Sequence, residues 1–113
     1  MKKIETIIRP TVFENVRQAL ALEGIDGLTV TEIAGIGKQE GRIGMFRGNP
    51  YKMEFSPKLK LEMVVEDAKV EAIIEAILEY AGTGEVGDGK IFIYPVEEAI
   101  RIRTKERGRV AIG

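Results

Sequence analysis

Residues 58–95 read KLKLEMVVEDAKVEAIIEAILEYAGTGEVGDGKIFIYP and contain three secondary-structure signals in succession. Their opening part, residues 58–66, alternates between apolar and polar side chains, which is typical of a strand that buries one face. After Asp67, the expected N-cap, apolar residues recur at helical spacing until a glycine-rich turn. The run KIFIYP that follows predicts a further strand at residues 90–95.

The N-terminal part of the chain shows the same succession. A strand is predicted at residues 4–9, ended by Pro10. An amphipathic helix is predicted at residues 11–23, with Thr11 as its N-cap and a glycine as its stop. A β-branched strand at residues 28–36 completes this half. The full order is therefore strand, helix, strand, loop, strand, helix, strand.

This order predicts an α+β fold of the ferredoxin-like βαββαβ type. It is a four-stranded antiparallel sheet with both helices on one face, formed by a single domain over residues 1–113. A short helical turn is also expected at residues 96–99, after the last strand.

The loop between the second and third strands, residues 37–55, reads GKQEGRIGMFRGNPYKMEF. Hairpin loops usually have two to five residues, so a loop of this length suggests a function. Its mixture of charged and aromatic residues favours a partner-binding loop that uses Phe46, Arg47 and Tyr51. The alternatives are a disordered insertion and an extended hairpin that stabilises an oligomer.

The composition excludes several classes of function. Lys and Arg number 17 and Asp and Glu number 18, so a net charge of -1 argues against a nucleic-acid partner. The chain has no Cys and no His, which removes thiol nucleophiles, common zinc sites and the usual general base. We therefore expect a protein that is not an enzyme. The absence of long apolar runs and of a signal peptide predicts a cytoplasmic protein without membrane insertion.

The segment GTGEVGDGK at residues 82–90 has the glycine and lysine spacing of a Walker A motif. A P-loop is nevertheless rejected, because Ile91 replaces the hydroxyl residue and the segment follows a helix instead of preceding one. Its inner glycines still permit a backbone site for phosphate beside Lys90. The alternative is a helix C-cap followed by a tight turn.

A basic cluster opens the C-terminal segment, residues 101–113. In an extended chain Arg101 and Arg103 would share one side, and Ile102 would point inward. Paired guanidinium groups are suited to phosphate oxygens. The alternative is a solvated surface with acidic partners such as Glu106.

Four segments together resemble the PII family of nitrogen-regulatory signal proteins. They are KKIETIIRP, GLTVTEIAGIGKQEG, PKLKLEMVVED and TGEVGDGKIFIYPVEEAIRIRT, and they cover nearly the whole chain. The resemblance implies a homotrimer with nucleotide clefts between subunits, for which ATP and ADP compete. It also implies that 2-oxoglutarate binds with Mg-ATP at the base of the long loop. The loop would then regulate a protein of nitrogen metabolism, such as an ammonium transporter or an enzyme.

The resemblance also implies individual roles. The implied nucleotide-binding residues are Thr29, Gly35, Gly37, Lys38, Val64, Gly87, Asp88, Gly89, Lys90, Arg101 and Arg103. The implied 2-oxoglutarate residues are Gln39, Lys58 and Gly87, and Gln39 is also the implied ligand of Mg²⁺ beside the ATP phosphates. Tyr51 matches the residue that a uridylyltransferase modifies in many bacterial relatives. Two other functions remain open: a slow ATPase, and a PII-like paralogue with a different small-molecule effector.

Overall fold

The structure, a computed structural model, describes residues 1–38 and 53–113. In chain order, each of the two long helices lies between two strands. The elements are β1 (Lys2–Ile8), α1 (Phe13–Leu22), β2 (Thr29–Lys38), β3 (Met53–Val65), α2 (Val70–Ala81), β4 (Lys90–Pro95) and α3 (Arg109–Ile112). The sheet has the order β2-β3-β1-β4 with antiparallel neighbours, which confirms the predicted ferredoxin-like plan.

The hydrophobic core lies between one face of the sheet and the two long helices. Alternate residues of the central strands point into it, as their period of two requires. The core residues are Ile4, Ile8, Val16, Leu20, Leu61, Met63, Val65, Ile73, Ile77 and Ala81. Thr6 is the polar residue buried among them, and its hydroxyl donates a hydrogen bond of 3.2 Å to the Lys90 carbonyl. This bond links the centre of β1 to the start of β4.

Neither helix covers the opposite face of the sheet. On that face Phe92 and Tyr94 keep 40% and 43% of their surface exposed. Lys3 lies there between Glu62, at 3.0 Å, and the Tyr94 ring, whose centroid is 5.2 Å from Nζ. The face therefore mixes aromatic surface with paired charges.

The hairpin of β2 and β3 is longer than the sequence indicated. The predicted loop boundaries at residues 37 and 55 are wrong, because β2 extends to Lys38 and β3 begins at Met53. Lys38 pairs with Met53 and Ile36 with Phe55, so the ladder continues without a bulge. The added part of β3 includes Pro57, which pairs with Ala34 and lies outside the Leu59–Val65 stretch that pairs with β1.

Neither predicted N-cap is used by its helix. The helices are capped at Val12 and Lys69 without a side-chain hydrogen bond, and each is entered through a 3₁₀ turn. Thr11 lies inside the first of these turns, and Asp67 begins the second. Such turns satisfy the first backbone groups of a helix without a capping side chain. Asp67 instead lies 3.5 Å from the Lys2 ammonium group.

The chain after β4 differs most from its prediction. Residues 96–99 form no helical turn, and residues 102–104 form a turn where an extended segment was predicted. Ile102 is 94% exposed, so its predicted inward orientation is wrong within one chain. The reversal occurs because Lys105 and Gly108 adopt φ values of 63° and 75°, which extended backbone does not have.

The long helices α1 and α2 have 10 and 12 residues, whereas a membrane-spanning helix needs about 20. No helix in residues 1–38 and 53–113 combines the length and the apolar character that a membrane-spanning helix needs.

Candidate functional site

The glycine-rich segment between α2 and β4 forms a turn organised by the Asp88 carboxylate. This carboxylate accepts hydrogen bonds from the backbone N–H of Thr83 at 2.7 Å and of Gly84 at 2.9 Å, and from the Thr83 hydroxyl. Gly84, Gly87 and Gly89 have φ values of 82°, 102° and 99°, in the left-handed region that glycine tolerates. The turn thus depends on its glycines for conformation and on Asp88 for closure.

Arg9 attaches this turn to the end of β1. Its Nε donates to Asp88 at 3.1 Å, and its Nη2 donates to the Val86 carbonyl at 2.8 Å. The hydrogen bonds from Thr83, with a smaller effect of Arg9, hold the pKa of Asp88 well below its ordinary value. Arg9 was not among the site residues predicted from the sequence. The available signal was a basic residue at the end of a predicted strand, directly before Pro10.

Replacing Asp88 with Asn is expected to loosen the turn while the sheet stays folded. The amide keeps one acceptor oxygen, whereas the carboxylate accepts bonds from Thr83, Gly84 and Arg9. The pKa of Asp88 in the folded protein lies below its value of about 3.9 in the unfolded chain. The stabilisation that this carboxylate provides is therefore complete above about pH 3.9, and it is lost as the pH falls further through the folded pKa. Faster amide exchange at Thr83 and Gly84 would verify the effect. A control, Glu85→Gln, should leave those rates unchanged, and equal rates in both variants would contradict the assignment.

Lys58 reaches the same turn from β3. Its ammonium group donates a hydrogen bond to the Gly87 carbonyl. A Cβ atom on Gly87 would lie 3.1 Å from Arg9 Nη2 and 3.4 Å from Lys58 Nζ, so both cations lie close to this backbone position. Burial, and then the charge of Arg9, lower the pKa of Lys58. The side chain of Lys58 also passes Gly35, where a Cβ atom would lie 3.4 Å from its Cγ.

The structure therefore brings five sequence-predicted residues to one end of the sheet: Gly35, Lys58, Gly87, Asp88 and Gly89. Lys90 is exposed beside them, at the start of β4. We name these residues, together with Lys90 and Arg9, the turn cluster. Asp88 is paired with Arg9, and among the described residues the Lys58 ammonium group hydrogen-bonds to the Gly87 carbonyl, so two cations face one carboxylate here. Such an arrangement is suited to an anionic ligand.

A second group of predicted residues lies elsewhere. Thr29 and Val64 line a groove of about 430 Å³ together with Lys3, Glu62 and Ile112. Arg101 lies in the segment that follows β4 and bonds to the backbone around α3, to which Ile112 belongs. Arg103, in the same segment, is exposed. We name this group the groove cluster.

The two clusters occupy opposite ends of the sheet. Val64 pairs with Lys3 at the start of β1, whereas Lys90 pairs with Ile7 near its end. Lys58 and Val64 are separated by about 20 Å along β3 at the usual rise per residue. One chain thus divides the predicted nucleotide-binding residues between two places.

The remaining predicted residues lie at or beyond the described boundary. Gly37 and Lys38 end β2, where they pair with Glu54 and Met53. The predictions for Gln39, Phe46, Arg47 and Tyr51 fall outside the described residues. Within the described ranges, no three acidic side chains come together as a metal site.

Comparison with known proteins agrees with this geometry. The family model for nitrogen regulatory protein P-II matches residues 1–106. The nitrogen regulatory protein P-II of Rhodospirillum rubrum is 55% identical over 112 residues, which are 99% of this chain and 100% of that protein. The protein of the same name from Azospirillum brasilense is 54% identical with the same coverage.

A solved structure gives the same result. The crystal structure of Arabidopsis thaliana PII bound to citrate superposes with a TM-score of 0.78 at 41% identity. The match covers 98% of this chain and 88% of that one. Sequence, family model and fold therefore agree that this chain belongs to the nitrogen regulatory protein P-II family.

Proposed function

We propose that this member of a nitrogen-regulatory family senses ATP and ADP, which compete for one site, and that it also senses 2-oxoglutarate. The observation that carries the proposal is the position of Lys58 and Arg9 around Gly87, beside a glycine turn. Lys58 lies in β3, only a few residues from the long segment that joins β2 and β3. A ligand bound there would act directly on the base of that segment.

The nucleotide would bind between two copies of the chain. Its phosphates would lie against the turn cluster of one copy, with Lys90 supplying a charge. Its base would lie against the groove cluster of the next copy, because the two clusters are too far apart within one chain. The uncovered sheet face, with Phe92 and Tyr94 half exposed, supports assembly into a homotrimer.

The effector would bind with the metal. Asp88 is engaged by Thr83, Gly84 and Arg9, so it is not free to ligate Mg²⁺. The ion would enter on the ATP phosphates and would be held by the oxygen atom of the Gln39 amide and by 2-oxoglutarate. The charge of Lys58 would be neutralised by the distal carboxylate of 2-oxoglutarate. Citrate in the Arabidopsis thaliana PII structure supports an effector of carboxylate chemistry.

We expect 2-oxoglutarate to bind in the presence of Mg-ATP and not in the presence of ADP, which lacks the γ-phosphate. Lys58→Met should weaken 2-oxoglutarate binding roughly tenfold or more, because it removes a charge-assisted contact, and should leave ATP affinity nearly intact. Lys60→Met is the matched control, since Lys60 lies on the same face of β3 but outside the turn cluster. Calorimetry with each ligand, alone and combined, measures both effects.

Two results of that calorimetry would contradict the effector site. One is equal 2-oxoglutarate binding with ADP and with Mg-ATP. The other is equal losses in Lys58→Met and Lys60→Met. Either would point to an effector of different chemistry or to a different site.

The output would pass through the long segment to a cytoplasmic target of nitrogen metabolism, such as an ammonium transporter or an enzyme. Phe46, Arg47 and Tyr51 would make those contacts, and Tyr51 would be the residue that a uridylyltransferase modifies. An ATPase is less well supported, because Asp88, the acidic residue that organises the turn, already accepts bonds from several donors and is a poor general base.

A further inference from the structure

Arg101, one of the residues assigned to the nucleotide, is occupied by the chain itself. Its Nη2 donates to the carbonyl of Val110 at 2.7 Å and to an oxygen of Gly113 at 2.8 Å. Its Nη1 donates to the Glu106 carboxylate at 2.8 Å. Three oxygen atoms therefore surround this guanidinium in the way that phosphate oxygens would.

The same helix also forms part of the wall of the groove. Ile112 of α3 lines the groove beside Thr29 and Val64, where the proposed function puts the nucleotide base. At the other end of α3, Arg109 Nη2 lies 3.1 Å from the Glu66 carboxylate. The helix is thus held at both ends, with its apolar residue in the groove wall and its carbonyl groups on Arg101.

We propose that α3 is a self-occluding segment, which occupies Arg101 beside the base end of the nucleotide cleft until a nucleotide displaces it. The inference rests on the proposed nucleotide function of that cleft. The oxygen atoms of Val110 and Gly113 take the place of phosphate oxygens on Arg101, and Ile112 lies at the wall of the groove that would receive the base. Nucleotide and α3 compete for Arg101, so the position of α3 reports whether the cleft is filled.

The local structure permits this exchange at low cost. A helix of one turn is not stable by itself, so α3 keeps its place through Arg101 and Glu66. The helix follows Gly108, which has a φ of 75° that glycine tolerates. A Cβ atom added to Gly108 would have no other atom within 4 Å. The chain can therefore turn at Gly108 without moving the sheet.

Two arginines in this segment provide a matched test. Arg109→Gln and Arg107→Gln each remove one positive charge, but only Arg109 bonds to Glu66 beneath α3; Arg107 lies 3.8 Å from Glu98. We expect Arg109→Gln, and likewise deletion of residues 110–113, to tighten ATP binding roughly fivefold or more relative to Arg107→Gln. Calorimetric titration with ATP measures this ratio.

Amide exchange of the full chain gives a second measurement. The Ala111 amide, which bonds to the Gly108 carbonyl at 2.9 Å, should exchange faster when ATP saturates the protein. The inference is overturned if the full chain binds ATP but neither variant binds it more tightly. It is also overturned if the full chain binds ATP and the exchange of the Ala111 amide is unchanged. Either result leaves the proposed function standing. No ATP binding by the full chain or by the deletion variant overturns both.

Discussion

Gly89→Ala is expected to destabilise the protein by roughly 4 kcal/mol or more and to abolish nucleotide binding. A Cβ atom at this position would lie 1.7 Å from the Ile7 carbonyl oxygen and 2.7 Å from its carbon. The obstacle is the backbone of a central strand, which cannot move aside as a flexible side chain could. The start of β4 would have to separate from β1, with loss of the pairing between Lys90 and Ile7.

Gly84→Ala provides the control for this clash. Gly84 has a φ of 82°, close to the 99° of Gly89, but a Cβ atom there would meet nothing within 4 Å. Gly84→Ala should therefore lower the free energy of unfolding by about 1–2 kcal/mol, which is the cost of placing alanine in the left-handed backbone region. Urea unfolding measures both free energies, and ATP titration follows the site. Similar losses in the two variants would show that contact with Ile7 does not constrain the turn.

Lys90→Ala and Arg103→Ala should each weaken ATP binding roughly tenfold or more, since each removes a charge-assisted phosphate contact. Mixed trimers of the two variants should nevertheless recover tight binding in about a third of their clefts. In those clefts an intact turn cluster of one copy meets an intact groove cluster of the next. Binding is recovered in the mixed oligomers because the two clusters lie at opposite ends of the sheet, so each cleft takes one cluster from each of two copies.

Co-expression with two affinity tags, followed by ATP titration of the doubly purified oligomer, measures the recovered fraction. A mixture of Arg101→Ala with Arg103→Ala is the control, because both changes damage the same cluster and no intact cleft can form. Mixed oligomers of Lys90→Ala and Arg103→Ala without tight clefts would contradict a site shared between copies. Light scattering that gave a monomer would contradict the homotrimer as well.

Local patterns in the sequence predicted the regular elements well. The alternation at residues 58–66 corresponds to the end of β3, and KIFIYP coincides with β4 at Lys90–Pro95. Strands and helices repeat with short periods, so one face of each can be recognised without knowing its neighbours. The helix starts and the limits of the long hairpin were less predictable, because 3₁₀ turns and ladder extension depend on pairing with other segments.

The sequence alone thus determined the order of elements, the glycine turn and the resemblance to the family. Only the tertiary structure placed Arg9 on Asp88, a contact between residues 79 positions apart, and Lys58 on the Gly87 carbonyl. The same holds for α3, which bonds to Arg101 although nothing in its short sequence predicts a helix. Periodicity records how each residue meets the core, whereas these contacts depend on which strand ends become neighbours when the sheet assembles.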